Sequence, residues 1–171
     1  MKKTILMLVI AVSVITGRCF GQAPQTFAAK KYAVQEVKKA FTVDISSSYL
    51  TSVLREDFDQ DAMTITSTDV DSTFSEEGLK ESFLPKIKKQ TKIGKSHPPT
   101  VLAAMYNIIT SNPDQLSPFS NLFFIEIADE EGSTIFTCIL SKVGDKWMLR
   151  CVFFDQMYSI GPGAKIFFIS S

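Results

Sequence analysis

The longest apolar run in the chain lies at its start. Ile5 to Ile15 is broken only by Ser13, with Lys2 and Lys3 before it and Arg18 after it. At eleven residues the run is little more than half of the roughly 20 that a membrane-spanning helix needs. Charged, apolar and short polar segments in that order predict a secretory signal peptide over residues 1–21. Gly21 with Cys19 supplies small residues at the last and third-last positions of a cleavage site, so the mature chain is expected to begin at Gln22. The rival reading is a lipoprotein acylated at Cys19, but Arg18 stands where a small residue should precede that cysteine.

Beyond the leader the pattern is helical at first. Phe27, Val34, Val37 and Phe41 share one face, with lysines and Glu36 on the other, which predicts an amphipathic helix of about four turns. Ser46, Ser47 and Ser48 offer N-caps for a short helix with Leu50, Val53 and Leu54 on its apolar face. From Ala62 to Ser67, Met63 and Ile65 alternate with threonines, as a half-buried strand requires. Thr73 and Glu76 have capping-box spacing ahead of a helical stripe of Leu79, Phe83, Leu84 and Ile87, which Pro85 should kink or shorten. The basic stretch from Lys86 to Thr100, with Gly94, Pro98 and Pro99, reads mostly as a loop, and Leu102, Met105, Tyr106 and Ile109 as one more short helix.

After Pro118 the period changes. Residues 122–127, 134–142, 146–154 and 165–169 are rich in β-branched and aromatic side chains, and turn residues separate them. The predicted fold class is α+β: N-terminal helices packed on one face of a C-terminal curved antiparallel sheet of four or more strands. Residues 22–171 are expected to form a single α+β domain, since 150 residues is an ordinary domain size.

Composition narrows the function. Removing the leader takes three of the eighteen basic residues and none of the eighteen acidic ones, leaving a net charge of −3. That balance points away from nucleic acid and from anionic membranes.

Two cysteines survive cleavage. A two-residue turn at Gly144-Asp145 sets Val143 opposite Lys146, and the same register places Leu140 against Leu149, Phe136 against Phe153 and Cys138 against Cys151. Alternation makes that last position a non-hydrogen-bonded pair, where Cα atoms approach to about 4.5 Å, within reach of a disulfide. Export would supply the oxidising compartment. The alternative is that both are small core residues on a face shared with Phe136, Leu140, Trp147, Leu149 and Phe153. Neither a Cys-x-x-Cys redox motif nor a histidine-assisted zinc site fits the spacing.

Other candidate chemistry is thin. Asp57, Asp59 and Asp61 alternate like the opening of a calcium loop, but Ala62 and Thr68 stand where glycine and glutamate belong, so an acidic helix end is the simpler reading. His97, the one histidine, lies beside Pro98 in the basic stretch with no orienting carboxylate near it in sequence, and reads as an exposed loop histidine. No phosphate loop, nucleophile elbow or metalloprotease helix is present, and no cofactor or metal is implied. Asp155, between an apolar strand and Tyr158, could carry a proton if it projects into a cavity, and otherwise faces water. Trp147, Asp155 and Tyr158 are the binding candidates. The Lys86 to Lys95 stretch could dock an acidic partner or simply be solvated.

Helices, a strand, a helix and then a meander resemble the NTF2-like, or cystatin-like, α+β superfamily. The segment Thr73-Phe74-Ser75-Glu76-Glu77-Gly78-Leu79-Lys80 is similar to its helix start, and Lys142-Val143-Gly144-Asp145-Lys146-Trp147 to its penultimate turn. Isomerases, dehydratases and non-catalytic binding modules all occur in that superfamily, so the resemblance does not choose among them. With export, aromatic-rich strands and no catalytic constellation, the expected function is an exported, non-enzymatic module holding a small apolar ligand or a protein partner on a sheet-lined concavity. The alternatives are an envelope-complex assembly subunit, a toxin-neutralising protein, or a small cavity enzyme using Asp155.

Overall fold

Residues 122–125 and 166–169 are apolar at consecutive positions rather than alternate ones. Strands of that kind need cover on both faces. A computed structural model describes residues 22–156 and 159–171; the leader with Cys19, and Tyr158, lie outside the described residues. The described chain begins with strands β1 (Gln25–Phe27) and β2 (Lys30–Tyr32), helix α1 (Val34–Ala40), strand β3 (Thr42–Val43), a 3-10 turn (Ile45–Ser47) and helix α2 (Tyr49–Ser52). Strands β4 (Phe58–Gln60), β5 (Met63–Asp69) and β6 (Phe74–Ser75) lead into helices α3 (Glu76–Lys92) and α4 (Pro98–Ser111). Strands β7 (Asn121–Asp129), β8 (Gly132–Val143), β9 (Lys146–Phe153), β10 (Ser159–Ile160) and β11 (Lys165–Ser170) complete it.

Seven strands form one mixed sheet in the order β1-β5-β11-β7-β8-β9-β3. The hairpins β7-β8 and β8-β9 follow the expected antiparallel meander. The last strand departs from it: β11 lies antiparallel to β5 and parallel to β7, in the middle of the sheet. Helices cover both faces, not one. On the first face Met63, Ile65, Phe123, Ile125, Phe167 and Ile169 pack with α1, α2 and α4 in one core. On the second, Leu122, Phe124, Ile166 and Phe168 pack against Leu79, Phe83 and Ile87 of α3. Two central strands with apolar side chains on both sides leave no alternative to this sandwiching.

The chain must therefore cross from one face to the other between α3 and α4, and it does so through a split in the sheet. β11 and β7 are paired only at Lys165–Asn121 and Ile166–Leu122. Lys165 N–H donates to Ser120 C=O at 2.9 Å, and the same offset would carry Ile169 N–H to Phe124 C=O. At that rung the Gln90 side chain is inserted instead. Its Oε1 accepts from Ile169 N–H at 2.9 Å, and its Nε2 donates to Phe124 C=O and Lys95 C=O, both at 3.2 Å. One step further, Glu126 N–H donates to Ser96 C=O at 2.8 Å. The side-chain amide thus satisfies the ladder groups that the divergence would otherwise strand.

Several expected boundaries move. The first helix is only Val34–Ala40, because Gln25–Phe27 and Lys30–Tyr32 are drawn into strands beside β5 and β4. Ser48 stands at the N-cap of α2, as expected, although its side chain makes no capping bond; Asp44 caps the 3-10 turn before it, and hydrogen bonds from the Ser46 hydroxyl and then its N–H hold the Asp44 carboxyl below its ordinary pKa. Leu50 and Leu54 are buried, but Val53 is exposed. Ser75, not Thr73, caps α3 by accepting Gly78 N–H at 3.2 Å. That helix runs through Pro85 to Lys92, so Lys86 to Lys92 is helical rather than loop. Pro85 sits on the exposed side, while Phe83 and Ile87 beside it are buried against the sheet. Pro98 and Pro99 open α4, where a missing N–H costs nothing.

The Gly144-Asp145 hairpin has the expected register throughout, from Val143–Lys146 to Phe136–Phe153. Gly144 alone in the turn has a positive φ, of 60°, as a two-residue turn with glycine first requires. Cys138 and Cys151 face each other with Cα atoms 4.3 Å apart and their sulfurs at disulfide-bonding distance.

Candidate functional site

The second face of the sheet is only partly roofed. On β5, Thr64, Thr66 and Thr68 point to this side while Met63 and Ile65 point into the first core. Register sets Thr66 beside Phe168 and Thr64 beside Ser170. Helix α3 packs over the middle of this face, with Phe83 6.1 Å and Phe124 5.8 Å from Phe168, ring centre to ring centre. Towards β5 the helix no longer reaches the sheet, and a cleft of about 420 Å³ opens there. Its floor is Phe168, its sheet wall Thr66 and Thr68, and its helix wall Lys86, Lys89 and Ile93. Gln22 stands at the rim, its Oε1 3.5 Å from the Ser67 hydroxyl, and the Gln90 insertion closes the back.

Among the described residues, no carboxylate lines this cleft. The Lys86 ammonium lies 5.3 Å from the centre of the Phe168 ring and 6.0 Å from that of Phe83, distances at which a cation is attracted to an aromatic face. Among the described residues, neither Lys86 nor Lys89 has an acid within ion-pair distance, whereas Lys80 reaches Asp155 at 3.4 Å and Lys165 reaches Asp69 at 3.6 Å. The reason is visible in the helix: the residues three and four away from Lys86 and Lys89 are Ser82, Phe83, Pro85, Gln90, Lys92, Ile93 or the other of the two lysines, none of them acidic.

The residues singled out by sequence fall elsewhere. Trp147 is half-buried on the first face, opposite Lys142, whose ammonium is 6.0 Å from the indole. Asp155 lies beyond β9 on the second side, its side chain 83 % exposed and paired with Lys80. The fold therefore puts these two on opposite sides of the sheet, and Tyr158 lies outside the described residues. Asp57 serves α1, accepting Val34 N–H at 3.0 Å, and Asp59 pairs in β4 with Lys31. His97 is exposed at the start of α4. Among the described residues, no group of three histidine, cysteine or acidic side chains could hold a metal ion.

A second, more open hollow surrounds the end of β9, where Tyr49, Phe136 and Phe153 meet beside Cys151. Phe136 and Phe153 are a cross-strand pair with ring centres 4.7 Å apart. The Tyr49 hydroxyl is buried there with no hydrogen-bond partner among the described residues, and burial pushes its pKa up.

Sequence reasoning missed the cleft because its two walls are about twenty residues apart and its floor is eighty further on. Two signals were nonetheless present: threonine at every second position of β5, and lysines at 86 and 89 without acids at helical spacing. Taken together, fold and cleft define a mixed α+β domain with a seven-stranded sheet between helical layers and a partly polar, sheet-lined cleft. A scan against protein-family models gives no match to this chain, and neither do searches of curated proteins and of solved structures.

Proposed function

We propose that the chain is an exported, non-enzymatic binding module that holds a small ligand in the cleft between α3 and β5–β11. The observation that carries this reading is the cleft itself: about 420 Å³, floored by an aromatic ring and walled by a few convergent polar side chains. That size and lining suit a small-molecule site. Export is supported by the leader pattern of residues 1–21 and by the Cys138–Cys151 pair, since a disulfide persists where the surroundings are oxidising. Among the described residues no helix is long and apolar enough to cross a membrane. The succession of β5, α3 and the β7-β8-β9 meander keeps membership of the NTF2-like superfamily as a proposal alongside.

Amide NMR during titration with a panel of small aromatic and aliphatic compounds tests the reading. Shifts are expected to cluster at Thr66, Thr68, Lys89 and Phe168. Shifts confined to the hollow at Tyr49 and Phe153, or none at millimolar concentrations, would sink it. For export, the N-terminus of the processed protein is expected at Gln22; recovery of an acylated Cys19 would replace secretion with lipid anchoring.

A further inference from the structure

We infer that the ligand of the α3–β5 cleft is a singly charged amphiphile: an apolar chain or ring ending in one carboxylate. The inference rests on the binding reading above and deepens it.

The charge follows from Lys86 and Lys89. Both line the cleft, and among the described residues no acid lines it with them and neither is ion-paired. Lys86 is held over the Phe83 and Phe168 rings, which keeps its ammonium at the mouth. Thr66 and Thr68, half-buried on the facing strand, place hydroxyl donors across from it. An anion between these groups gains charge-assisted hydrogen bonds from both walls.

A monoanion fits better than a phosphate dianion for two reasons. The cleft lies at the C-terminal end of α3, where Lys89 and Lys92 occupy the last turn. The partial negative charge of that helix end works against any anion, and twice as strongly against a dianion as against a carboxylate. Nor, among the described residues, does the lining include arginine, the side chain best matched to a phosphate. The apolar part of the ligand is set mainly by Ile93, which is 41 % exposed on the helix wall although it is a large aliphatic side chain; the Phe168 ring on the floor is already packed in the second core and adds little open surface. Burying Ile93 and the aliphatic stems of Lys86 and Lys89 under a chain or ring supplies the hydrophobic contribution that a bare anion lacks.

The test is calorimetry at low ionic strength with decanoate, decanol and acetate, on the wild-type protein and on the double variant Lys86→Met, Lys89→Met. Methionine keeps most of the length and packing of each lysine stem, and thermal melts check that the variant folds. Decanoate is expected to bind wild type at least about tenfold more tightly than decanol, a ratio in keeping with a charge-assisted contact. In the variant decanoate should fall to the level of decanol, while decanol itself is unchanged. Equal binding of decanol and decanoate to wild type would overturn the anionic assignment and leave the binding reading standing. Equal binding of acetate and decanoate would overturn the apolar half. Binding of none of the three, with no amide shifts at Thr66, Thr68 or Phe168, would overturn the inference and count against the cleft as the site. Uptake of the protein by phosphatidylglycerol vesicles without decanoate binding would also overturn it, pointing to a lipid headgroup instead.

Discussion

Gln90 is the residue whose role is least visible in the sequence. A glutamine among lysines on a basic helix reads as solvent-facing, yet it is 2 % exposed and makes three hydrogen bonds at the split between β7 and β11. Removing its amide strands Phe124 C=O and Ile169 N–H in a buried place, and each unsatisfied group costs about 1–3 kcal/mol. Gln90→Met keeps the volume and removes only the polar groups. It is expected to lower the unfolding free energy by about 2–4 kcal/mol in urea melts. A wild-type midpoint would mean that water replaces the amide and that the inserted rung is dispensable.

At the scale of elements, the hairpin β8-β9 is the part most fully readable beforehand. Two turn residues fixed every cross-strand pair, and with them the meeting of Cys138 and Cys151. A cross-link closing a loop with a sequence separation of 13 restricts the unfolded chain by about 3 kcal/mol in the chain-entropy account. Reduction is therefore expected to lower stability by about 2–3 kcal/mol, seen as a fall in Tm when dithiothreitol is added. Intact mass under non-reducing conditions should be two hydrogens short of the reduced chain; a free-thiol mass would return the pair to ordinary core packing. Helix α3 was less legible. Its stripe of Leu79, Phe83 and Ile87 was plain, but Pro85 suggested an end that does not occur. Burial of the stripe against Phe168 and Phe124 outweighs a proline on the exposed side, because tertiary packing supplies most helix stability.

For the whole molecule, the decisive feature is the place of the last strand. β11 joins β5 to β7, and its four central side chains alternate between the two cores: Phe167 and Ile169 on the first face, Ile166 and Phe168 on the second. Loss of one buried phenylalanine alone costs about 3–5 kcal/mol, and typical domains have only about 5–15 kcal/mol in all. A chain ending at Ala164 is accordingly expected to lose cooperative unfolding, judged by near-UV circular dichroism and the absence of a thermal transition. A sharp transition in that truncated chain would show that the β7-β8-β9 meander folds without the central strand.

The sequence by itself determined what local chemistry can specify: the leader pattern, the threonine-lined strand β5, the meander and its register, and the pairing of two cysteines. Each depends on residues within a turn or a strand of one another, where backbone geometry leaves few choices. Tertiary structure decided where β11 enters the sheet, which helices lie on which face, how α3 passes to α4 beside Gln90, and that Lys86, Lys89, Thr66 and Phe168 share one cleft. Those outcomes join residues that can lie more than a hundred positions apart, as Thr66 and Phe168 do. They follow from burying two doubly apolar strands at once, a requirement that acts on the chain as a whole and leaves no mark at any single position.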